Sequence, residues 1–267
     1  MEITRIGVIA HPGVDKKLLA KLEKKLRQKK TALFFDEVPA KILGEKTTKT
    51  KDMRVDAIIV FGGDGTLLWS THNVPGNPLF VGIKTGRVGF LKELDETNML
   101  AGIDKLLKGE YWVDERAKIL VNNRYEALNE AVILPEIPGK LLEFRIRFNG
   151  REISQFRADG IIISTPTGST AHALSAGGPV IYPEADVYAI VPIVPFMHHQ
   201  PPMIVPDNSE IVIETISTKS DICLVIDGNK VKKIKQTEEV SFKKSKNKTR
   251  FARFGEKRWK HIINKNF

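Results

Sequence analysis

Early in the chain, apolar and polar positions follow two textures in turn. Residues 3–10 form a short apolar run, and after His11-Pro12-Gly13 the residues Val14, Leu18, Leu22 and Leu26 recur every four positions among lysines. The first texture predicts a buried strand. The second predicts an amphipathic helix, because positions i and i+4 share one helix face. Residues 31–35 predict a second strand, the polar stretch 44–52 (GEKTTKTKD) a loop, 57–61 a third strand and 79–83 a fourth, with a helix starting at Thr66. Strands alternating with helices point to a parallel, Rossmann-like α/β sheet, in which ligands gather outside the carboxyl ends of the strands.

From about Asp95 the texture changes. One helix is predicted through Leu107, followed by short apolar runs at 118–121, 127–134, 144–148, 160–164, 211–215 and 222–226. The alternation Phe144-Arg145-Ile146-Arg147-Phe148 followed by Asn149-Gly150 is a hairpin signal. The second part therefore reads as mostly β, of β-sandwich type. The expected division is an α/β domain at 1–95 and a β-rich domain at 96–244. Phe251, Ala252, Phe254 and Trp259 in the tail are too apolar for a disordered arm, so the end of the chain is expected to pack.

Composition adds limits. Among 267 residues there are 42 Lys+Arg and 32 Asp+Glu, a net charge of +10 that favours polyanionic ligands such as nucleotides or polyphosphate. Residues 230–260 alone hold 13 basic and 3 acidic side chains, so the excess sits in the tail and reads as a solvated lysine-rich surface, with no specific nucleic-acid site. Cys223 is the single cysteine, which excludes an intrachain disulfide and a cysteine-based metal cluster and fits a reducing compartment. The most apolar later stretch, 188–197, is broken by Pro192 and Pro195 and falls short of the ~18 residues of a membrane span. With no signal peptide evident, a cytoplasmic protein without membrane partners is expected.

The candidate chemistry begins where the third strand ends, at Gly62-Gly63-Asp64-Gly65. Glycines on both sides of a carboxylate allow positive φ and leave a ligand room to approach. The same four residues also read as a sharp strand-to-helix turn with Asp64 as its cap. A second apolar run leads into glycines at 86–91 (GRVGFL). Asn129 and Glu130 interrupt an apolar run, Arg157 and Asp159 precede another, and that run opens into 165–171 (TPTGSTA) and 175–179 (SAGGP). Hydroxyls around Pro and Gly offer donors suited to phosphate, ribose or base edges, although redundant Ser/Thr at a helix start gives the same pattern. The phosphate-loop, dinucleotide and nucleophile-elbow fingerprints are absent, and adjacent His198-His199 lack the spacing of two ligands on one helix face.

Together, GGDGT at 62–66, GRVGFL at 86–91, Asn129-Glu130, Asp159-Gly160, TPTGSTA and SAGGP resemble the NAD kinases in order and spacing over nearly the whole chain. The resemblance implies an α/β domain, a β-sandwich-like domain and a tail, here about 245–267, returning to the first domain, with the active site between the two. It implies transfer of a phosphoryl group from ATP or polyphosphate to the 2′-hydroxyl of the adenosine ribose of NAD, a requirement for Mg²⁺ or another divalent ion, and a homodimer or homotetramer. Asp64 is then the catalytic carboxylate, as general base or as metal ligand, and Gly62, Gly63, Gly65 and Thr66 form the donor loop, with Gly65 also bordering NAD. The NAD site is expected to take Asn129, Glu130, Arg157, Asp159, Thr170, Ala171, His172, Ala173, Leu174, Ser175, Val194 and Asp227 besides Asp64; the metal ligands are unassigned. Two positions depart from the family pattern: His172 stands where a tyrosine is common, and Trp69 where many members have a basic residue. The rival readings are a lipid or sphingoid kinase with the same GGDGT turn and a non-catalytic nucleotide sensor.

Overall fold

The computed structural model describes residues 2–29, 31–85, 91, 93–197, 200–217 and 220–255. The chain forms two compact units, one from residues 1–115 and 249–267 and the other from 116–248.

The first unit runs β1 (Arg5–Ala10), α1 (Lys16–Arg27), β2 (Ala32–Phe35), α2 (Glu37–Leu43), β3 (Ala57–Gly62), α3 (Asp64–Asn73), β4 (Leu79–Lys84) and α4 (Met99–Lys108). Its strands are parallel in the order β2-β1-β3-β4, and the last strand of the chain joins beside β4 through Arg250↔Leu79 and Phe251↔Phe80. Successive strands leave β1 in opposite directions, so a crevice opens at the carboxyl ends of β1 and β3. Every residue of β3 is buried, which is why it reads as a continuous apolar run and does not alternate. At the start of α1, Asp15 accepts a hydrogen bond from Lys17 N, and the helix carries Leu18, Leu19, Leu22 and Leu26 into the core.

Three boundaries differ from expectation. The 44–52 stretch is not loop throughout: Thr47 bridges to Phe35 and Thr50–Asp52 forms a 3₁₀ turn, giving a polar segment backbone partners at a sheet edge. Helix α3 starts at Asp64, two residues early, because Gly63 takes the extended N-cap conformation. The division between units falls at Glu115 and not near residue 95, since α4 buries Met99, Ile103 and Leu106 in the first core.

The second unit is mostly β. Its elements are β5 (Trp112–Val121), β6 (Tyr125–Ala127), β7 (Glu130–Pro135), β8 (Leu142–Phe148), β9 (Arg151–Ser164), the single turn α5 (His172–Ser175), β10 (Val187–Pro195), β11 (Met203–Pro206), β12 (Ile211–Ser217), β13 (Ile222–Ile226), β14 (Asn229–Ile234) and β15 (Glu239–Arg253). The path β14-β13-β7-β9-β8-β12-β15 is antiparallel, and β10 also pairs with β9. Strand β9 is the spine: it pairs with β8 over its first half and with β7 and β10 over its second. Ile161 and Ile163 enter the main core with Phe144, Tyr188 and Phe242, while Ile162 packs on the opposite face with Val132, Ala173 and Val191. Burial on both faces explains the unbroken apolar run at the end of β9. The β8–β9 hairpin has Asn149 at φ 48° and Gly150 at φ 79°, the left-handed pair that a two-residue turn requires.

The last residues of β15 complete the first unit. Arg253 is buried and donates to Asp114 Oδ2 at 2.9 Å and to the Leu91 carbonyl at 2.8 Å, and Trp112 Nε1 donates to the Gly255 carbonyl at 2.9 Å. Among the described residues no helix is long and apolar enough to cross a membrane. Arg253→Met removes the guanidinium from a buried carboxylate and is expected to destabilise the protein by about 3–5 kcal/mol. A urea midpoint close to that of the wild type would show that this contact contributes little.

Candidate active site

The glycine turn follows from close packing. A Cβ on Gly62 would stand 2.5 Å from Thr66 Oγ1, so only glycine lets the first turn of α3 fold back onto the end of β3. Around Gly63 and Gly65 the space is open: a Cβ added at either would meet no atom within 4 Å. None of the three takes a left-handed φ, so none is there for the positive φ the sequence allows. The N-cap is Gly63, so the turn is not built on a capping Asp64. Asp64 is instead the first helical residue, half-buried, and Leu91 N donates to its Oδ1 at 3.4 Å. The start of a ten-residue helix with unhindered backbone N–H groups is suited to phosphate. Residues 86–90 of the second glycine loop lie outside the described residues.

In the second unit the apolar run 127–134 is broken into β6 and β7 at Leu128-Asn129. The cause is Asp227, held at φ 46°, whose carboxylate accepts the backbone N–H groups of Leu128 (2.7 Å), Asn129 (2.8 Å) and Glu130 (2.9 Å). The 165–169 loop closes over the same segment. Thr165 N donates to the Asn129 carbonyl at 2.9 Å and Thr165 Oγ1 to the Leu128 carbonyl at 2.6 Å. A Cβ on Gly168 would lie 2.1 Å from the Asn129 carbonyl oxygen, which makes glycine obligatory there. Ser169 Oγ donates to the Pro166 carbonyl and accepts from Ile181 N. The Thr165 and Ser169 hydroxyls are therefore engaged within the fold, so at these two positions the loop uses its Ser/Thr residues for its own turn.

Two polar atoms of this assembly have no partner. Asn129 Oδ1 and Glu130 Oε2 are buried without a hydrogen bond. Buried acceptors are ordinarily satisfied by protein or ordered water, so this pair stands out as two acceptors that the protein itself leaves unmet. Burial, reinforced by the nearby negative charge of Asp227, pushes the Glu130 carboxyl up to about 8. After the 165–169 loop, Thr170, Ala171 and Leu174 are half-buried, His172 and Ser175 exposed and Ala173 buried, so α5 presents a partly open turn.

Arg157, Asp159 and Val194 form a separate group. Asp159 is five residues from Ser164, roughly 17 Å along β9. Val194 is strained, a β-branched residue at φ 46° in the gap between the pairs Ile193↔Gly160 and Pro195↔Ala158. Beside it the Arg157 guanidinium lies 5.4 Å from the centre of the Phe196 ring. Sequence reasoning passes over Phe196, for which the only signal is an aromatic residue closing an apolar strand. The structure thus gathers Asn129, Glu130, Asp227 and the start of the 165–171 loop at Thr165 and Gly168, and sets Arg157, Asp159 and Val194 further along the strand. Among the described residues no three His, Cys, Asp or Glu side chains converge as a metal site, and His198-His199 lie outside those residues.

Residues 5–111 match the family described as ATP-NAD kinase N-terminal domain, and residues 128–254 match ATP-NAD kinase C-terminal domain. The chain is 40% identical to the NAD kinase of Thermococcus sibiricus over 217 residues, 80% of this chain and 78% of that protein. It is 34% identical to the NAD kinase of Methanosphaera stadtmanae over 272 aligned positions, 98% of each. Its fold is similar to the crystal structure of an NAD kinase from Archaeoglobus fulgidus in complex with ATP, with a TM-score of 0.83, 27% identity and 97% of each chain covered.

Because Glu130 titrates near 8 in the folded protein and near 4.3 unfolded, folding favours its protonated form. The linked stability is full below about pH 4 and is lost as the pH rises towards 8. Glu130→Gln is therefore expected to be more stable than the wild type by about 1–3 kcal/mol at pH 8.5, with the difference vanishing near pH 4. Urea unfolding at the two pH values measures this; equal stability at pH 8.5 contradicts it.

Proposed function

Because the chain belongs to the NAD kinase family, we infer that it transfers the γ-phosphoryl group of ATP to the 2′-hydroxyl of the adenosine ribose of NAD, giving NADP and ADP. The observation that carries this reading is Asp64, a half-buried carboxylate at the start of α3 between two glycines with open space around them. In the reaction the 2′-oxygen bonds to the γ-phosphorus as the bond from that phosphorus to the β,γ-bridging oxygen breaks. The hydroxyl proton passes to Asp64 and ADP leaves with the bridging oxygen. Such a transfer asks mainly for alignment and charge neutralisation, with a modest contribution from proton removal. The N–H groups at the start of α3 supply donors for the phosphates. Asn129 Oδ1 and Glu130 Oε2 are suited to accept hydrogen bonds from NAD, and Arg157 and Asp159 to contact it further along.

A divalent cation such as Mg²⁺ is commonly held by one or two carboxylates together with the phosphates of its substrate. The alternative assignment makes Asp64 that carboxylate in place of the base; among the described residues no group of side chains makes a cage wholly of protein. The cation would neutralise charge on the donor phosphates. Polyphosphate is the alternative donor, and the working form is proposed to be a cytoplasmic homodimer or homotetramer.

Incubation with NAD, Mg²⁺ and ATP or polyphosphate, followed by an NADP-specific dehydrogenase, tests the activity. Absence of NADP with either donor would overturn the reading. Asp64→Asn is expected to lower kcat by roughly 10² to 10⁴ with little change in KM for NAD. Near-normal turnover of that variant would remove Asp64 from the chemistry.

A further inference from the structure

The guanidinium of Arg253 makes more contacts than its ion pair requires. Arg253 and Asp114 are both buried, and Nε and Nη2 of the arginine each lie 2.9 Å from Asp114 Oδ2. Two nitrogens are enough to neutralise a buried carboxylate and to tie the end of β15 to β5. The third, Nη1, turns to the backbone: it donates to the Leu91 carbonyl at 2.8 Å and lies 3.5 Å from Glu93 Oε2. Residues 91–94 are thereby held on two sides. Towards β4, Glu93 N and Leu94 N each donate to the Gly82 carbonyl at 3.1 Å, and Lys84 N donates to the Leu94 carbonyl at 2.7 Å. Towards the tail, Glu93 Oε1 accepts from Phe254 N at 2.9 Å. Leu91 itself is 4% exposed, so both its side chain and its carbonyl are fixed. Its N–H points to the glycine turn and donates to Asp64 Oδ1 at 3.4 Å, 27 positions earlier in the chain.

We propose that Arg253 is a positioning residue for phosphoryl transfer: through the Leu91 carbonyl it holds the Leu91 N–H against Asp64, and so sets the direction in which that carboxylate meets the attacking hydroxyl. The proposal rests on the kinase reading and adds to it which part of the chain aims Asp64. The glycines on either side of Asp64 give it no side-chain walls, so a backbone donor from outside the turn contributes to fixing its rotamer. At 3.4 Å the Leu91 N–H contact is long, and its geometry therefore depends on how firmly Leu91 is anchored more than on the strength of the bond itself. A carboxylate that must stand within hydrogen-bond reach of a hydroxyl loses rate steeply when it is misdirected. Arginine suits the task because its planar fork spans a carboxylate and a carbonyl at once, whereas the ammonium of lysine is a single point charge.

Arg253→Lys separates the structural role from the positioning role. Its ammonium stays with the buried Asp114 carboxylate, the stronger partner, and gives up the Leu91 carbonyl. Steady-state kinetics of the full chain, well below its unfolding temperature, are expected to show kcat lowered roughly tenfold with KM for NAD and for ATP within about twofold of the wild type. In an Asp64→Ala background the same change is expected to lower the residual kcat by less than about twofold, because no carboxylate is left to aim. Protein labelled with ¹⁵N-leucine gives a readout independent of turnover, with the Leu91 amide resonance assigned by its disappearance in Leu91→Ile. Asp64→Asn is expected to move that resonance clearly when Arg253 is present and much less in Arg253→Lys. An unchanged kcat in Arg253→Lys, an equal fold-loss with and without Asp64, or a Leu91 amide that responds equally in both proteins would each overturn the proposal. The Asp64→Asn comparison needs no change at Arg253, so a Leu91 amide that does not move there defeats the proposal even where Arg253→Lys fails to fold. The two readings separate cleanly: no NADP from the wild type defeats the kinase assignment, whereas NADP formation together with wild-type kcat in Arg253→Lys defeats only the positioning role.

Discussion

The second unit depends on one carboxylate. Asp227 accepts three consecutive backbone N–H groups, and in doing so it bends the chain at Leu128-Asn129 and ends what would otherwise be a continuous strand. A bent backbone exposes its carbonyls sideways, and Thr165 donates to those of Leu128 and Asn129 through its hydroxyl and its N–H. The contact at Asn129 is close enough that only Gly168 fits opposite. Each later feature thus follows from the first. Asp227 also fixes the backbone from which the Asn129 and Glu130 side chains project, and its charge contributes to keeping Glu130 protonated near neutrality.

The first unit reaches a comparable result by steric means. There the determining contact is Gly62 against Thr66, which allows α3 to begin immediately at the end of β3 and so brings Asp64 and the first N–H groups of the helix to the sheet's edge. A side chain at Gly62 would push the helix away from the strand, and the carboxylate would move with it. Glycine is thus needed at Gly62 for approach between parts of the protein, whereas Gly63 and Gly65 leave open space on either side of Asp64.

Much of this is legible in the sequence. The recurrence of Leu18, Leu22 and Leu26, most of the apolar runs and the Asn149-Gly150 turn are local signals that correspond to elements where expected, whereas Val14 precedes α1 and the run 127–134 is divided between β6 and β7. The turn at 62–65 is legible as a site but not in its geometry, because glycine permits several conformations and neighbouring packing selects one. The hydroxyls of the 165–171 loop mislead for a related reason: composition says that donors exist, and only the fold shows that Leu128 and Pro166 already receive two of them. Asp36 leaves no trace in the sequence, since an aspartate after a strand is common and its lack of a partner depends on what surrounds it. The long reach of α4 into the first core is hidden as well, because a helix pattern does not reveal which core it joins.

Charge distinguishes structural positions from those open to ligands. Arg253 lies against Asp114 and Glu93, Lys244 against Asp207 and Asp186, and Lys233 against Glu136 and Asp221. The basic tail is therefore partly tied to carboxylates of its own chain, and the +10 charge overstates its attraction for nucleic acid. By contrast, Asp36 and Glu130 are buried carboxylates with an oxygen that no side chain or backbone group satisfies. Holding either of them in place costs stability near neutral pH, and the elements around them are rigid strands and their immediate continuations. A fold that pairs its charges elsewhere and leaves these two acceptors unmet is more readily explained by ligand donors than by loose packing, since the side chains next to them, such as Ala10 and Ala131, are themselves closely buried.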